Sequence, residues 1–199
     1  MPKNSRDSAA LLIMDLISDF EFEDGARILR AALPVAKRIA ALKQRLKRAG
    51  IPVIYVNDEP GNWNADRDRL VNRCLQADVR GRAVVELLIP EADDYFVFKP
   101  RHSGFYGTAL NELLQQLRVK KLILTGVTSH QCVLFTAVDA YVRNYALTVP
   151  RDCVSAATPR HTQGALYIFE TALKARVILS TAIPTPIKRN RRARGNGKS

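Results

Sequence analysis

The chain alternates short, β-rich apolar runs with longer stretches of helical period. Residues 9–14 (AALLIM) form an unbroken apolar run ending at Asp15, which suits a strand buried on both faces. Val35, Ile39, Leu42 and Leu46 then recur at intervals of four, three and four, marking one face of a helix. Gly50 stops that helix and Pro52 opens a second strand, PVIYVN. Residues 57–68 (NDEPGNWNADRD) are polar and punctuated by Pro60 and Gly61, so they read as a loop. A helical stretch around 70–75, a strand at 95–98, and a helix carrying Leu110, Leu113, Leu114 and Leu117 with Thr108 as its cap follow. Residues 122–124 read as a fourth strand. Val133, Leu134, Ala137, Val138, Tyr141, Val142 and Tyr145 trace one helical face, and ALTV a fifth strand. Thr158-Pro159 is a helix start, with a capping side chain followed by proline at the first helical position. Leu166, Phe169 and Leu173 face that helix inward, and VILS closes the pattern as a sixth strand.

Strands alternating with helices imply right-handed crossovers and a parallel sheet covered on both faces. The expected fold class is α/β, a three-layer α/β/α sandwich with a six-stranded parallel sheet. Residues 1–184 form one domain, with no internal repeat and no linker before the tail.

Composition changes this picture at one end only. Half of the net charge of +12 sits in the last fifteen residues: Lys188, Arg189, Arg191, Arg192, Arg194 and Lys198, with no acid among them. After Ile187 that segment has nothing large and apolar to bury, so 185–199 is expected to be a disordered basic tail. Weak, nonspecific contact with nucleic acid is conceivable there, but a solvated tail without a dedicated partner is the simpler reading. No apolar run approaches the ~20 residues of a membrane span, and the N-terminus makes a poor signal peptide, so a cytoplasmic protein is expected. Three cysteines, Cys74, Cys132 and Cys153, give no even-numbered disulfide framework and fit a reducing compartment.

In an open parallel sheet, ligands bind beyond the carboxyl ends of the strands. Asp15 follows the first strand, Asn57-Asp58 the second, Lys99 the third and Gly126-Val127-Thr128-Ser129 the fourth, with Cys132 opening the next helix. Singly, Asp15 reads as a helix cap, Lys99 as a solvated strand end and Cys132 as a packed thiol. Together they bring a carboxylate, an ammonium and a thiol to one edge. A helix N-terminus offers a partial positive charge and free N–H groups, which lower a thiol pKa and stabilise an oxyanion. The thiol of Cys132 is therefore expected to be shifted downward, despite the opposing charge of Asp15.

These residues carry a family resemblance. LLIMDLISDF resembles the first-strand motif of isochorismatase-like hydrolases, FVFKPRHSGFYGTAL their lysine motif, LILTGVTSHQCVLFTAVDAY their nucleophile segment and VPRDCVSA their fifth-strand element. The resemblance spans residues 9–180 in the correct order. It implies a catalytic triad of Asp15, Lys99 and Cys132, and a non-proline cis peptide at Val127–Thr128. It also implies an oxyanion hole from the backbone N–H groups of Thr128 and Cys132, and association as a homo-oligomer. One departure is Ile17, where the first motif often has Gln. Nicotinamidases, similar in fold, carry an Asp-x-His-x-x-His metal cluster after strand two, whereas residues 57–68 here contain no histidine. The three histidines are scattered at 102, 130 and 161, so neither a metal nor a cofactor is expected.

The candidate substrate-binding residues are Phe20, Trp63, His102, Phe105, Tyr106, His130 and Gln131. Phe20 and Phe105 would be apolar walls, while His130 and Gln131 would face the substrate from the turn before the nucleophile. Cys74 and Cys153 read as packing residues and Asp152 as a loop anchor. The leading expectation is hydrolysis of a C–N bond in a small amide, ureido or carbamoyl compound through a thioester on Cys132, with Lys99 or Asp15 protonating the leaving amine. One rival is vinyl-ether hydrolysis with Asp15 as proton donor. A rival of another class is a non-catalytic binding protein using the basic tail on nucleic acid.

Overall fold

A computed structural model describes residues 8–58, 64 and 66–185. Strand β1 (Ala9–Met14) is buried along nearly its whole length because it lies at the centre of the sheet. It pairs in parallel with β2 (Val53–Asp58) on one side and β4 (Lys121–Val127) on the other. Beyond β2 lies β3 (Tyr95–Lys99), and beyond β4 lie β5 (Ala146–Pro150) and β7 (Arg176–Ile178). The order β3-β2-β1-β4-β5-β7 puts the switch of direction at β1 and β4, where a crevice opens at the carboxyl edge.

The sheet has seven strands rather than six, because a two-residue strand, β6 (Val154–Ser155), pairs with the end of β4. Strand β5 runs beside β4 only at 121–123, and the turn at 151–153 brings Val154 opposite Gly126 in its place. Two residues are too few to show a period of two, so the sequence pattern cannot announce such a strand.

Two apolar clusters cover the faces. Helix α1 (Gly25–Arg48) packs Ile28, Ala32, Val35, Ile39, Leu42 and Leu46 into one of them. The helix starts ten residues before the periodic pattern and continues through Pro34, whose ring sits on the exposed side, away from the packed face. Gly50, at φ 79°, accepts the left-handed conformation that ends it. On the same face lie α2 (Arg67–Cys74), capped by the Asp66 side chain, and α3 (Arg82–Leu87), which the period did not announce.

The other face is covered by α4 (Leu110–Gln116), α5 (Leu134–Val142) and α6 (Pro159–Thr171). In α4 the Thr108 hydroxyl accepts from Leu110 N at 3.1 Å from one place before the capping position, and Ala109 caps without a side-chain bond. Thr158 caps α6 as expected, accepting from His161 N at 3.2 Å, with Pro159 in the first turn. In α5 only part of the expected apolar face is inside. Of that face Val133, in the turn just before the helix, and Ala137 are buried, whereas Val138, Tyr141 and Val142 are exposed. Among the described residues no helix is long and apolar enough to cross a membrane. Of the tail at 185–199 only Thr185 is described.

Candidate active site

Sheet register places the reactive groups. Asp58 on β2 pairs with Lys99 on β3, and Met14 on β1 pairs with Val56 and Gly126, so Asp15, Asp58 and Lys99 all emerge at one edge. Lys99 stands two strands from Asp15, a gap of roughly 10 Å that a lysine side chain largely spans. Its Nζ lies 3.0 Å from Asp15 Oδ2 and forms a second ion pair with Asp58. From the same point it donates to Cys132 Sγ at 3.4 Å. Asp15 takes the left-handed conformation at φ 53°, and its Oδ1 accepts from the backbone N–H of Asp58 at 2.8 Å. Asp15 Oδ2 is buried beside the Lys99 ammonium, and the Cys132 thiol also interacts with the carboxylate.

Cys132 does not open an ordinary α-helix. It lies in one π-helical turn, Ser129–Val133, that precedes α5. The turn starts from a cis peptide at Val127–Thr128. Just before it, Gly126 at φ 114° passes so close to β1 that a Cβ would sit 2.1 Å from Met14 O, which only glycine avoids. His102 Nδ1 stands 3.8 Å from Cys132 Sγ, with its ring against Phe135.

The electrostatics differ from the sequence expectation at the thiol. Burial pushes Cys132 upward first and the Asp15 charge adds to it; Lys99 opposes but does not win. The turn carrying the thiol is covered, so desolvation is the largest influence on it. Burial also raises Asp15, against the pull of Lys99 and with help from Asp58, to about 6. For Lys99, burial favours the neutral amine, but the charges of Asp15, Cys132 and Asp58 outweigh it and hold the ammonium above its usual range. At neutral pH the resting cluster is therefore an ammonium, a largely ionised Asp15 and a neutral thiol.

A cavity of ≈ 440 Å³ opens over Cys132, lined by Asp15, Phe20, Asn57, Asp58, His102 and Gln131 among others. Of the expected pocket residues, Phe20, His102 and Gln131 line it. Phe105 does not, being packed beneath the edge against Tyr145 and the second cluster. Tyr106 is 62% exposed and lies outside it. His130 turns away to stack on His161 of α6 at 4.4 Å, because successive residues of the turn point in different directions. Trp63 lies outside the described residues.

Asp58 and Asn57 join the site although the motifs do not single them out as site residues. Their signal was the direct pairing of Asp58 with Lys99, visible only once the order of strands is known. Asn57, which lines the cavity, donates from Nδ2 to Ile17 O at 2.8 Å, and its buried Oδ1 has no donor among the described residues.

Ligand atoms of Asp15, Asp58 and Cys132 lie within 4.8 Å of one another, a spacing that can hold a metal ion. Lys99 Nζ contacts all three, so a positive charge already stands among them. The trio lacks the histidines of a zinc or nicotinamidase-type site, and these residues fit an internal ammonium better than a metal.

Residues 9–182 match the model of the isochorismatase domain. The chain is 38% identical to the uncharacterized isochorismatase family protein YaaI of Bacillus subtilis, over 87% of this chain and 94% of that one. It is 30% identical to the ureidoacrylate amidohydrolase RutB of Methylorubrum extorquens, over 83% and 77% of the two chains. The crystal structure of N-carbamoylsarcosine amidase from Thermoplasma acidophilum superposes with a TM-score of 0.68 at 28% identity, covering 89% of this chain and 99% of that one. The chain belongs to the isochorismatase family of hydrolases.

Proposed function

We propose that the protein is a metal-independent cysteine hydrolase that cleaves a C–N bond of a small amide, ureido or carbamoyl compound. The observation that carries this reading is the contact of Lys99 Nζ with both Asp15 and Cys132 Sγ at the floor of a cavity. Relatives named for ureidoacrylate and N-carbamoylsarcosine amide hydrolysis support the bond class.

Asp15 Oδ2 takes the proton of the Cys132 thiol. A base near pKa 6 suits that task at neutral pH, and its Oδ2 has no competing donor except the Lys99 ion pair. Lys99 stabilises the thiolate as it forms. The thiolate adds to the substrate carbonyl, and the oxyanion is held by the backbone N–H groups of Thr128 and Cys132. Asp15 returns its proton to the nitrogen as the C–N bond breaks, releasing amine or ammonia and leaving a thioester. Water then gives one proton to Asp15 while its oxygen adds to the thioester carbonyl. Collapse expels Cys132, which recovers the proton from Asp15, and the acid departs. The sum is amide plus water to acid plus amine.

The test is release of ammonia or amine from a panel of small amides, ureas and carbamoyl compounds. Wild type should turn over at least one class and Cys132→Ala none. An acyl-enzyme adduct on the Cys132 peptide should appear by mass spectrometry after a rapid quench. Turnover that persists in Cys132→Ala would remove the thiol from the mechanism and favour vinyl-ether chemistry at Asp15.

A further inference from the structure

The cavity over Cys132 is unevenly charged. Four carboxylates line it, Asp15, Asp19, Glu21 and Asp58, against a single cationic lining residue, Arg73. Among the described residues, three cations pair with these acids. Lys99 serves both Asp15 and Asp58, Arg73 lies 3.3 Å from Asp19, and Arg80 lies 3.1 Å from Glu21. Three cations pair with four acids, so among the described residues one negative charge in the wall is unmatched. The chain as a whole has the opposite sign, +12, so this polarity is local. The unmet hydrogen-bonding capacity has the same character. Asn57 Oδ1 is a buried acceptor without a hydrogen-bond donor among the described residues, whereas Asp15 Oδ2 is met by the Lys99 ammonium at 3.0 Å.

We infer that the site takes a neutral or cationic, N–H-rich amide or urea, and that the acidic segment carrying Asp19 and Glu21 discriminates against anionic substrates. The bond class rests on the reading under Proposed function; the charge preference does not. Ureidoacrylate and N-carbamoylsarcosine, for which two relatives are named, both bear a carboxylate. In this cavity such a group would have to displace Asp19 from Arg73 or sit among like charges. A single unmatched unit charge about 8 Å away, at an effective dielectric of about 40, disfavours an anion roughly fivefold. Removing the Asp19 charge would free Arg73, bring the count to three against three, and should abolish most of this preference.

Two measurements on the full-length protein separate this inference from the bond class. The first is the rate at which Cys132 is modified by methanethiosulfonates bearing a methyl, an aminoethyl or a sulfonatoethyl group. Each rate is divided by that of the same reagent on a small free thiol, and the site is identified by peptide mapping. The sulfonate should be slowed at least fivefold relative to the methyl reagent, and the aminoethyl reagent should not be slowed. Asp19→Asn should raise the normalised sulfonate-to-methyl ratio at least threefold, and Glu21→Gln, as a second variant, should move it the same way. A sulfonate rate equal to or above the methyl rate in wild type overturns the inference, as does a ratio that neither variant changes. The second measurement is ammonia release from butylurea, 3-aminopropylurea and 3-ureidopropanoate and from the matching carboxamides. The anionic member of each set should have the lowest kcat/KM, and its being the best substrate would overturn the inference. No release from any compound would count against the C–N reading, while the modification rates would still decide the charge preference.

Discussion

Lys99 Nζ rests 3.4 Å from Cys132 Sγ, yet the thiol is held well above its ordinary range. The ammonium is shared with Asp15 and Asp58, and burial together with the Asp15 charge outweighs what remains for the sulfur. The geometry therefore favours a thiol that is ionised on demand, by transfer of its proton to Asp15, over a standing thiolate. Residues acting as one such unit have losses that do not add. Asp15→Asn and Lys99→Ala should each lower kcat/KM by at least about 100-fold, and the double variant should be little worse than either. Near-wild-type turnover in Lys99→Ala would reduce that residue to a buried structural charge.

Selective chemistry at Cys132 should follow access, because burial raises all three thiols. Cys74 is pushed up to about 11 and Cys153 to about 12, and both are fully buried. Cys132 is 6% exposed and opens into the cavity. Limiting iodoacetamide at pH 7 should label Cys132 first, slowly, with loss of activity in step with the label. Faster labelling of Cys74 or Cys153 would sink the nucleophile assignment.

The groups that converge were legible in the sequence because a parallel sheet puts chemistry at the carboxyl ends of its strands, a rule that needs only strand order along the chain. Asp15, Lys99 and Cys132 were found that way. What the sequence left open depends on spatial neighbours. The exchange of β5 for β6 beside β4 and the pairing of Asp58 with Lys99 come from register. The directions of His130 and Tyr106 come from local turn geometry, which no periodicity encodes. The sign of the Cys132 shift depends on burial, which a helix-terminus argument does not contain.

Turnover should survive metal removal. Lys99 already supplies a positive charge to the only trio among the described residues with metal-ligand spacing. Dialysis against EDTA should leave kcat/KM unchanged, and added zinc should inhibit, if anything, by binding the thiol. Abolition by EDTA with recovery on adding zinc would show that a metal is required.

Asp152 should matter for stability and not for rate. Its carboxylate accepts from Ser180 N and from Ser180 Oγ, both at 2.7 Å, tying the turn after β5 to the segment after β7. Asp152→Ala leaves a buried N–H without its charged acceptor, a loss of about 2–3 kcal/mol. Urea unfolding should show that loss, with kcat/KM within about twofold of wild type because the residue does not line the cavity. A large fall in kcat/KM at unchanged stability would mean the turn supports the site directly.

Asp15 should set the acid limb of activity and leave a pH signature in stability. Its carboxyl is raised from 3.8 to about 6 in the folded protein, burial being the main cause. Only the ionised form can accept the thiol proton, so kcat/KM should rise with pH through about 6 and level off above it. An acid limb centred at pH 4.5 or below would take Asp15 out of the base role. For stability the sign runs the other way. The folded state holds this proton more tightly than the unfolded chain, so stability is fully present below pH 3.8 and is lost as pH rises to about 6. The loss above that window is at most about 3 kcal/mol, from 1.36 kcal/mol per pKa unit. Asparagine carries no charge at any pH and escapes it. The melting temperature of Asp15→Asn minus that of wild type should therefore be near zero at pH 4 and positive at pH 7.5. A difference that is flat across this range would mean that Lys99 fully offsets the burial of the carboxylate, and the raised pKa would have to be abandoned together with the acid limb.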